Sequence, residues 1–398
     1  MQYREDKKSG NQLSVLGFGC MRFPRNLGQI DVKKTEQLIN KAIERGVNYF
    51  DTAYLYPGSE ETLGTVLKKN GMRPKVYIAT KLPFSQCKRY EDFDKFFEIQ
   101  KKRLQTDYID YYFIHAISDC KQWERLCELG VEQWIAKKKA AGEIRQVGFS
   151  FHGLTNEFIK LVDAYDWDFC QIQYNYINVN YQAGETGLKK AAEKGLSVFV
   201  MEPLLGGKLA NGLPPKAVAL LKKVDEKNSP AAWALNWLWN QPEVTLLLSG
   251  MNGMEQVREN TALAHRARAG MFGTGENKVI DKVIEIFNES YKVPCTGCNY
   301  CMPCPKGINI PACFAAYNAT FAFGKFAGLQ QYVLSTGGVG KGETHYAGDC
   351  VKCGKCERHC PQHIQIRKEL QKVSRRMESF WLKPGLRIMG KVMDFINI

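Results

Sequence analysis

Asn48–Gly64, NYFDTAYLYPGSEETLG, opens with a short apolar run, turns polar at Asp51 and then takes up the spacing of a helix. The apolar run is too short for a helix and rich in aromatic residues, so it reads as a buried strand ending at Asp51. Seven further runs share that character: SVLGFGC (14–20), VYIATKL (76–82), YIDYYFIH (108–115), RQVGFSF (145–151), FCQIQYN (169–175), SVFVMEP (197–203) and VTLLLSG (244–250). Amphipathic segments lie between most of them. In KKTEQLINKAIERG (33–46), Leu38, Ile39, Ala42 and Ile43 fall on one face and Gly46 suits a helix stop. TNEFIKLVDAYD (155–166) and GLKKAAEKG (187–195) behave alike. Eight strands alternating with helices predict an α/β fold, a (β/α)8 TIM barrel. A doubly wound sheet is the competing topology. It needs a glycine turn after the first strand, and GFGCMRFP (17–24) does not continue as G-x-G-x-x-G into a helix.

The chain of 398 residues is long enough for a barrel plus a small domain. The start, MQYREDKKSGNQ, is polar and charged, unlike a secretory signal. No apolar run approaches the roughly 18 residues of a membrane span. A soluble, cytoplasmic protein with no transmembrane segment is expected. Fourteen cysteines in a reducing compartment then point to metal ligation and buried thiols rather than disulfides. The net charge of +14 is scattered and accompanies no nucleic-acid motif, so nucleic acid is not an expected partner. A basic surface suits acidic proteins or anionic cofactors.

Barrel enzymes place their chemistry at the C-terminal strand ends. Strand two ends at Asp51, strand three at Lys81 and strand four at His115, with Tyr56 on the loop after strand two. A carboxylate, an ammonium, an imidazole and a phenol in one mouth can deliver a proton to a carbonyl oxygen. A free phenol titrates near pH ~10 and needs tuning, which a lysine cation held by a carboxylate would supply. Singly each residue has a plainer reading, as a helix cap or a satisfied strand-end polar group. Their clustering at consecutive strand ends favours the catalytic one.

The stretches FDTAYLYPGSEETLG, IATKL and DYIDYYFIHA resemble the aldo-keto reductases in order and spacing, over roughly residues 10 to 270. The resemblance implies a barrel that binds NAD(P)H in an extended pose and interconverts a carbonyl and an alcohol. It implies catalytic roles for Tyr56, Asp51, Lys81 and His115, with Tyr56 the proton donor. It places Ser150 and Gln171 at the nicotinamide carboxamide, Met201 where many members stack an aromatic ring, and Pro203, Leu204, Gly206 and Lys208 of EPLLGGKL near the pyrophosphate. Gln256 and Asn260, in LSGMNGMEQVREN, fall at the adenosine end. Gly250 and Gln256 stand where NADPH-preferring members often carry basic side chains, so any NADPH preference is expected to be modest.

Eight cysteines lie in two runs. CVKCGKCERHCP (350–361) has the C-x2-C-x2-C-x3-C-P spacing of bacterial ferredoxins. CTGCNYCMPCP (295–305) is one residue shorter before its last cysteine. By the ferredoxin rule Cys350, Cys353 and Cys356 join Cys304, while Cys295, Cys298 and Cys301 join Cys360, holding two 4Fe–4S clusters. Zinc bound by four cysteines is the competing reading of C-x2-C pairs. The other six cysteines lack ligand spacing; Cys20 could line the cofactor mouth.

We place the barrel at 1–285, an α-rich ferredoxin-like domain at 286–372 with an insert at 306–349, and a basic amphipathic tail at 373–398. The insert is helical and aromatic in its first half and glycine-rich in its second, STGGVGKGETHYAGD (335–349). The whole resembles a subgroup of bacterial aldo-keto reductases with a C-terminal two-cluster domain. Nicotinamide passes two electrons as a hydride, whereas a 4Fe–4S centre passes one. Three readings follow: a nicotinamide-linked carbonyl reductase with structural or sensing clusters; a reductase whose clusters relay electrons from an electron-transfer protein to a substrate or flavin; and a regulatory subunit. The sequence shows no flavin signal, and the four catalytic candidates favour the first.

Overall fold

In the computed structural model, which describes residues 1–336 and 345–378, eight parallel strands close into a barrel. They are β1 Leu16–Gly19, β2 Tyr49–Asp51, β3 Tyr77–Leu82, β4 Ile109–Ile117, β5 Ile144–Phe151, β6 Phe169–Gln173, β7 Ser197–Met201 and β8 Val244–Ser249. Neighbours follow chain order, and β8 pairs with β1 to complete the ring. The expected barrel is therefore found. Helix Val32–Glu44 shows how the intervening segments form. Asp31 caps it by accepting the N–H of Lys34 at 2.9 Å, and Leu38, Ile39 and Ala42 are its buried stripe. Gly46 follows with φ 92°, a conformation only glycine takes without strain.

Alternation along the strands sends every second side chain into the barrel. The interior is aromatic: Tyr49, Tyr111, Phe113, Phe169 and Phe199 are fully buried together. Phe169 meets Phe113 edge-on at 4.6 Å and stacks with Phe199 at 5.1 Å. Each such ring contributes about 1.5–3 kcal/mol of burial. Gly148 admits Phe169, since a Cβ there would stand 2.2 Å from the Phe169 carbonyl oxygen. An antiparallel hairpin, Tyr3–Glu5 with Gln12–Ser14, closes the N-terminal end. Its Leu13 joins the interior, and Asp6 accepts from Tyr111 Oη at 2.9 Å and Ser197 Oγ at 2.6 Å. The opposite end is left for polar side chains.

The chain divides into two compact units: Met1–Leu204 with Ala232–Gly273, and Leu205–Ala231 with the residues from Thr274 onward. This division differs from the boundaries read from sequence. Helix Thr274–Ser290 runs unbroken across residue 285, and residues 205–231 group with it. Helix Pro215–Val224 packs on that helix, and Tyr291 Oη donates to the Gly212 carbonyl at 2.6 Å. The rest of the second unit is α-rich. Helix Ile310–Ala322 packs against Lys325–Thr336 and Ile366–Met377. Buried Asn318 accepts the N–H groups of Lys292 and Val293 and donates to the Val293 carbonyl at 2.7 Å, fixing the approach to the first cysteine run. The glycine-rich stretch at 337–344 and the tail beyond 378 lie outside the described residues. Among the described residues no helix is long and apolar enough to cross a membrane.

Candidate active site and cysteine loops

Asp51, Lys81 and His115 end up on the inner face of β2, β3 and β4, and all three are buried, at 4, 1 and 5 % exposure. A lysine so enclosed needs its charge answered locally. Lys81 Nζ donates to Oδ1 of Asp51 and, at 2.8 Å, to the Thr52 carbonyl. The same ammonium lies 5.3 Å from the centre of the Tyr56 ring and 5.0 Å from that of Phe113. The His115 ring stands edge-on to the Tyr56 ring, centroids 5.8 Å apart and planes at 85°. The four candidate catalytic residues are thus brought together.

The loop that carries Tyr56 is pinned at both ends. Thr52 and Ser59 share a hydroxyl hydrogen bond of 2.8 Å, and Ser59 Oγ donates to the Cys20 carbonyl at 3.0 Å. Gly58, with φ 74°, makes the turn into helix Ser59–Lys69. Lys81 is held from behind as well. Gln100 donates to its carbonyl at 3.0 Å and to Glu60 at 2.9 Å, and buried Glu60 also accepts from Thr80 and Arg103. Burial raises the Glu60 carboxyl above its ordinary range, against the pull of those donors.

Burial, then the Lys81 cation, then His152 hold the His115 imidazole well below its usual titration range, so it is neutral near pH 7. Its Nδ1 is buried without a hydrogen-bond partner. A neutral ring with an unanswered nitrogen can orient a substrate oxygen. Cys20 is fully buried and does not line an open mouth. Burial, then the Asp51 carboxylate, push its thiol well up, so it stays protonated.

The expected cofactor residues divide. Ser150 Oγ accepts the N–H of Ala116 at 2.7 Å and stays on the inner face, beside Gln171 in register. Gln171 is engaged by Asp51, donating to Oδ2 at 3.0 Å. Gln173, two residues on and so on the same face, is fully buried with neither amide atom partnered. The sequence reading passed it over; the alternation 169, 171, 173 was the signal. Met201 pairs in register with Gln173 and packs on the aromatic interior. Pro203 is buried and Leu204 partly so. Gly206 lies in a left-handed turn, φ 68°, in the second unit. Lys208, in that same unit, donates to the carbonyl of Cys295, and its ammonium lies 5.0 Å from the Tyr291 ring centre. Its charge is therefore engaged at the first cysteine run. Gln256 Oε1 accepts the N–H groups of Asn252 and Gly253, at 2.9 and 3.2 Å, as a helix cap, and Asn260 donates to Ser249 Oγ at 3.2 Å.

In the second unit a cavity of about 180 Å³ is lined by Cys304, Cys350, Cys353 and Cys356. A second recess is lined by Cys295, Cys298 and Cys360, and Cys301 lines both. Four of the C-x2-C turns contain one left-handed residue: Gly297, Asn299, Lys352 and Gly354, with φ between 58° and 74°. Such turns point successive backbone N–H groups into a concavity that suits an anion, as in iron–sulfur sites. Among the described residues no three His, Cys, Asp or Glu side chains close on a point that could hold a single ion. Thiols ranged around a space are the donors that a cubane takes, one per iron.

Comparison with known proteins agrees with both halves. Residues 15–269 match the Aldo/keto reductase family, and residues 294–365 match a 4Fe-4S dicluster domain. Aldo-keto reductase yakc [NADP(+)] of Schizosaccharomyces pombe is 23% identical over 294 residues, covering 64% of this chain and 85% of its own. L-galactose dehydrogenase of Arabidopsis thaliana is 28% identical over 283 residues, covering 64% and 85%. The holo form of aldo-keto reductase AKR11C1 from Bacillus halodurans superposes with a TM-score of 0.58 at 25% identity, covering 71% of this chain and 96% of that one. With the family match spanning most of the barrel, this chain is an oxidoreductase that belongs to the aldo/keto reductase family and carries a 4Fe-4S domain.

Proposed function

We propose that the chain interconverts a carbonyl and an alcohol with NAD(P)(H), using Tyr56, Lys81, Asp51 and His115 at the reacting oxygen. The observation that carries this is the buried Lys81 ammonium, bound to Asp51 and facing the Tyr56 ring, with the neutral His115 ring edge-on to that ring. The bound nicotinamide supplies or takes the hydride. Lys81 stabilises negative charge on the Tyr56 oxygen, so the phenol can give its proton to a developing alkoxide and recover it in the reverse direction. Asp51 holds the ammonium in place, and His115 orients the substrate oxygen.

Ser150 and Gln173 are the better candidates for the carboxamide, because Gln171 is held by Asp51. The names of two relatives point the same way: one carries NADP(+), and the other is a dehydrogenase of a sugar. The cysteines would hold two 4Fe–4S clusters, Cys304 with Cys350, Cys353 and Cys356, and Cys360 with Cys295, Cys298 and Cys301. Eight cluster-ligating cysteines and six others outside any disulfide suit a reducing, cytoplasmic setting. Small aldehydes, ketones or alcohols are the substrate class. The deciding experiment is Tyr56→Phe in the cluster-loaded protein, assayed with NADPH and NADH. Carbonyl reduction should fall at least ~100-fold with the visible spectrum unaltered; unchanged turnover rejects the role of the phenol.

A further inference from the structure

The second cysteine run is more open than the first. Cys353 is exposed, whereas the other seven cysteines of the two runs are at most half-exposed. Beside it Val351 is 58% exposed, an apolar side chain standing in solvent. Exposed cations surround this point. Lys306, Lys355 and Arg367 line the same cavity as Cys304, Cys350, Cys353 and Cys356, and Lys352 adjoins Cys353 in the chain. From residue 350 to residue 368 the sequence has five Lys or Arg against a single acid, Glu357. That acid is already engaged, binding the Arg367 side chain at 2.8 Å and its N–H at 2.8 Å. The positive excess therefore remains on the surface around the exposed thiol.

An exposed ligand, a small apolar contact and a ring of cations are what a transient one-electron encounter needs. Electrons tunnel only over short distances, so the centre must come close to the surface. Charge steers and orients the partner, while a small contact lets it leave. We propose that the face around Cys353 is the docking surface for an acidic one-electron carrier protein. The inference rests on the reading of Cys304, Cys350, Cys353 and Cys356 as ligands of one 4Fe–4S cluster. Flavodoxin serves as the donor probe. Its anionic hydroquinone loses one electron to become the neutral semiquinone, one cluster gains that electron, and no proton moves.

The test uses the full-length, cluster-loaded protein in stopped flow, reading formation of the semiquinone and bleaching of the cluster. The unmodified protein should be reduced by flavodoxin hydroquinone at a rate that falls steeply with salt. The Lys306→Glu/Lys352→Glu/Lys355→Glu variant should be reduced at least ~10-fold more slowly at low salt. Reduction by dithionite, which needs no docking, should be unchanged in the same variant and shows that the cluster is intact. Charge reversal at Lys102 and Lys137, exposed in the first unit, should have little effect. Equal flavodoxin rates in the triple variant and the unmodified protein overturn the proposal. So does binding of a duplex oligonucleotide at this face without electron transfer from flavodoxin. Protein that lacks iron after anaerobic reconstitution defeats the cluster reading itself, a result distinct from either.

Discussion

Gln171 donates its side-chain amide to Oδ2 of Asp51 at 3.0 Å, tying β6 to β2 on opposite sides of the barrel mouth. Asp51 thereby has each oxygen answered, one by an amide and one by the Lys81 ammonium. The residue that family resemblance places at the nicotinamide carboxamide is thus also bound to the carboxylate that holds the lysine.

That bond separates two neighbouring glutamines, one partnered and one not. Gln171→Leu removes a donor from a buried carboxylate and should lower kcat and cost about 1–3 kcal/mol of stability. Gln173→Leu removes an amide with no partner in the protein, so stability should hold. Its effect should fall on the KM for NAD(P)H. Steady-state kinetics with thermal melts of the two variants checks this, and equal KM effects would remove the distinction.

Lys81 and Asp51 form a charge pair almost wholly out of water. Lys81→Met leaves the carboxylate buried with only Gln171 to answer it, and should destabilise by about 3–5 kcal/mol. Adding Asp51→Asn removes the stranded charge, so the double variant should recover much of that loss while remaining inactive. Urea unfolding of the single and double variants reads the difference. A double variant less stable than Lys81→Met refutes the pairing as the cause.

His115 gives a prediction with a definite sign. Its folded-state affinity for a proton is depressed by burial, then by Lys81 and His152, well below the ordinary value of 6.5. As pH falls below about 6.5, the unfolded chain binds a proton there that the folded chain refuses, so stability falls. The slope from this one group approaches ~1.4 kcal/mol per pH unit until the folded value is reached. His115→Gln should lose stability less steeply between pH 6.5 and pH 5.5, by about 1 kcal/mol over that interval. Parallel curves for the two proteins would show that His115 titrates normally.

The barrel was legible because its strands are short, aromatic and regularly spaced, and because buried strands leave few other readings for YIDYYFIH or VTLLLSG. Asp51, Lys81 and His115 were legible for a related reason: strand-end position alone places them on one rim. The partners were not. Whether Gln171 or Gln173 meets a ligand depends on which carboxylate lies within 3 Å, and residues 51 and 171 come together only through closure of the sheet. The network of Glu60, Thr80 and Gln100 behind Lys81 was hidden for the same reason. Lys208 has a partner that the sequence could not show. Its loop has the composition of a phosphate turn, and its ammonium donates to the carbonyl of Cys295, 87 residues along the chain. Only packing in the second unit could show that.

The division of the cysteines between the two cavities makes the last prediction. Cys304 lies in the first run but lines the cavity of Cys350, Cys353 and Cys356, while Cys360 lies in the second run and lines the recess of Cys295 and Cys298. If each cavity holds one cubane, anaerobically purified protein contains about eight irons per chain. Cys304→Ser and Cys353→Ser should then weaken the same cluster, although they fall in different runs. Their electron paramagnetic resonance spectra should change alike, and the double variant should lose no more than about four irons. Cys304→Ser combined with Cys360→Ser should instead perturb both clusters, the greater loss coming from two residues that each end a run. Were the pairing within runs, Cys304→Ser would match Cys298→Ser and leave the Cys353 cluster untouched. The comparison of the spectra of Cys304→Ser, Cys353→Ser and Cys298→Ser decides between crossed and uncrossed ligation without reference to catalysis.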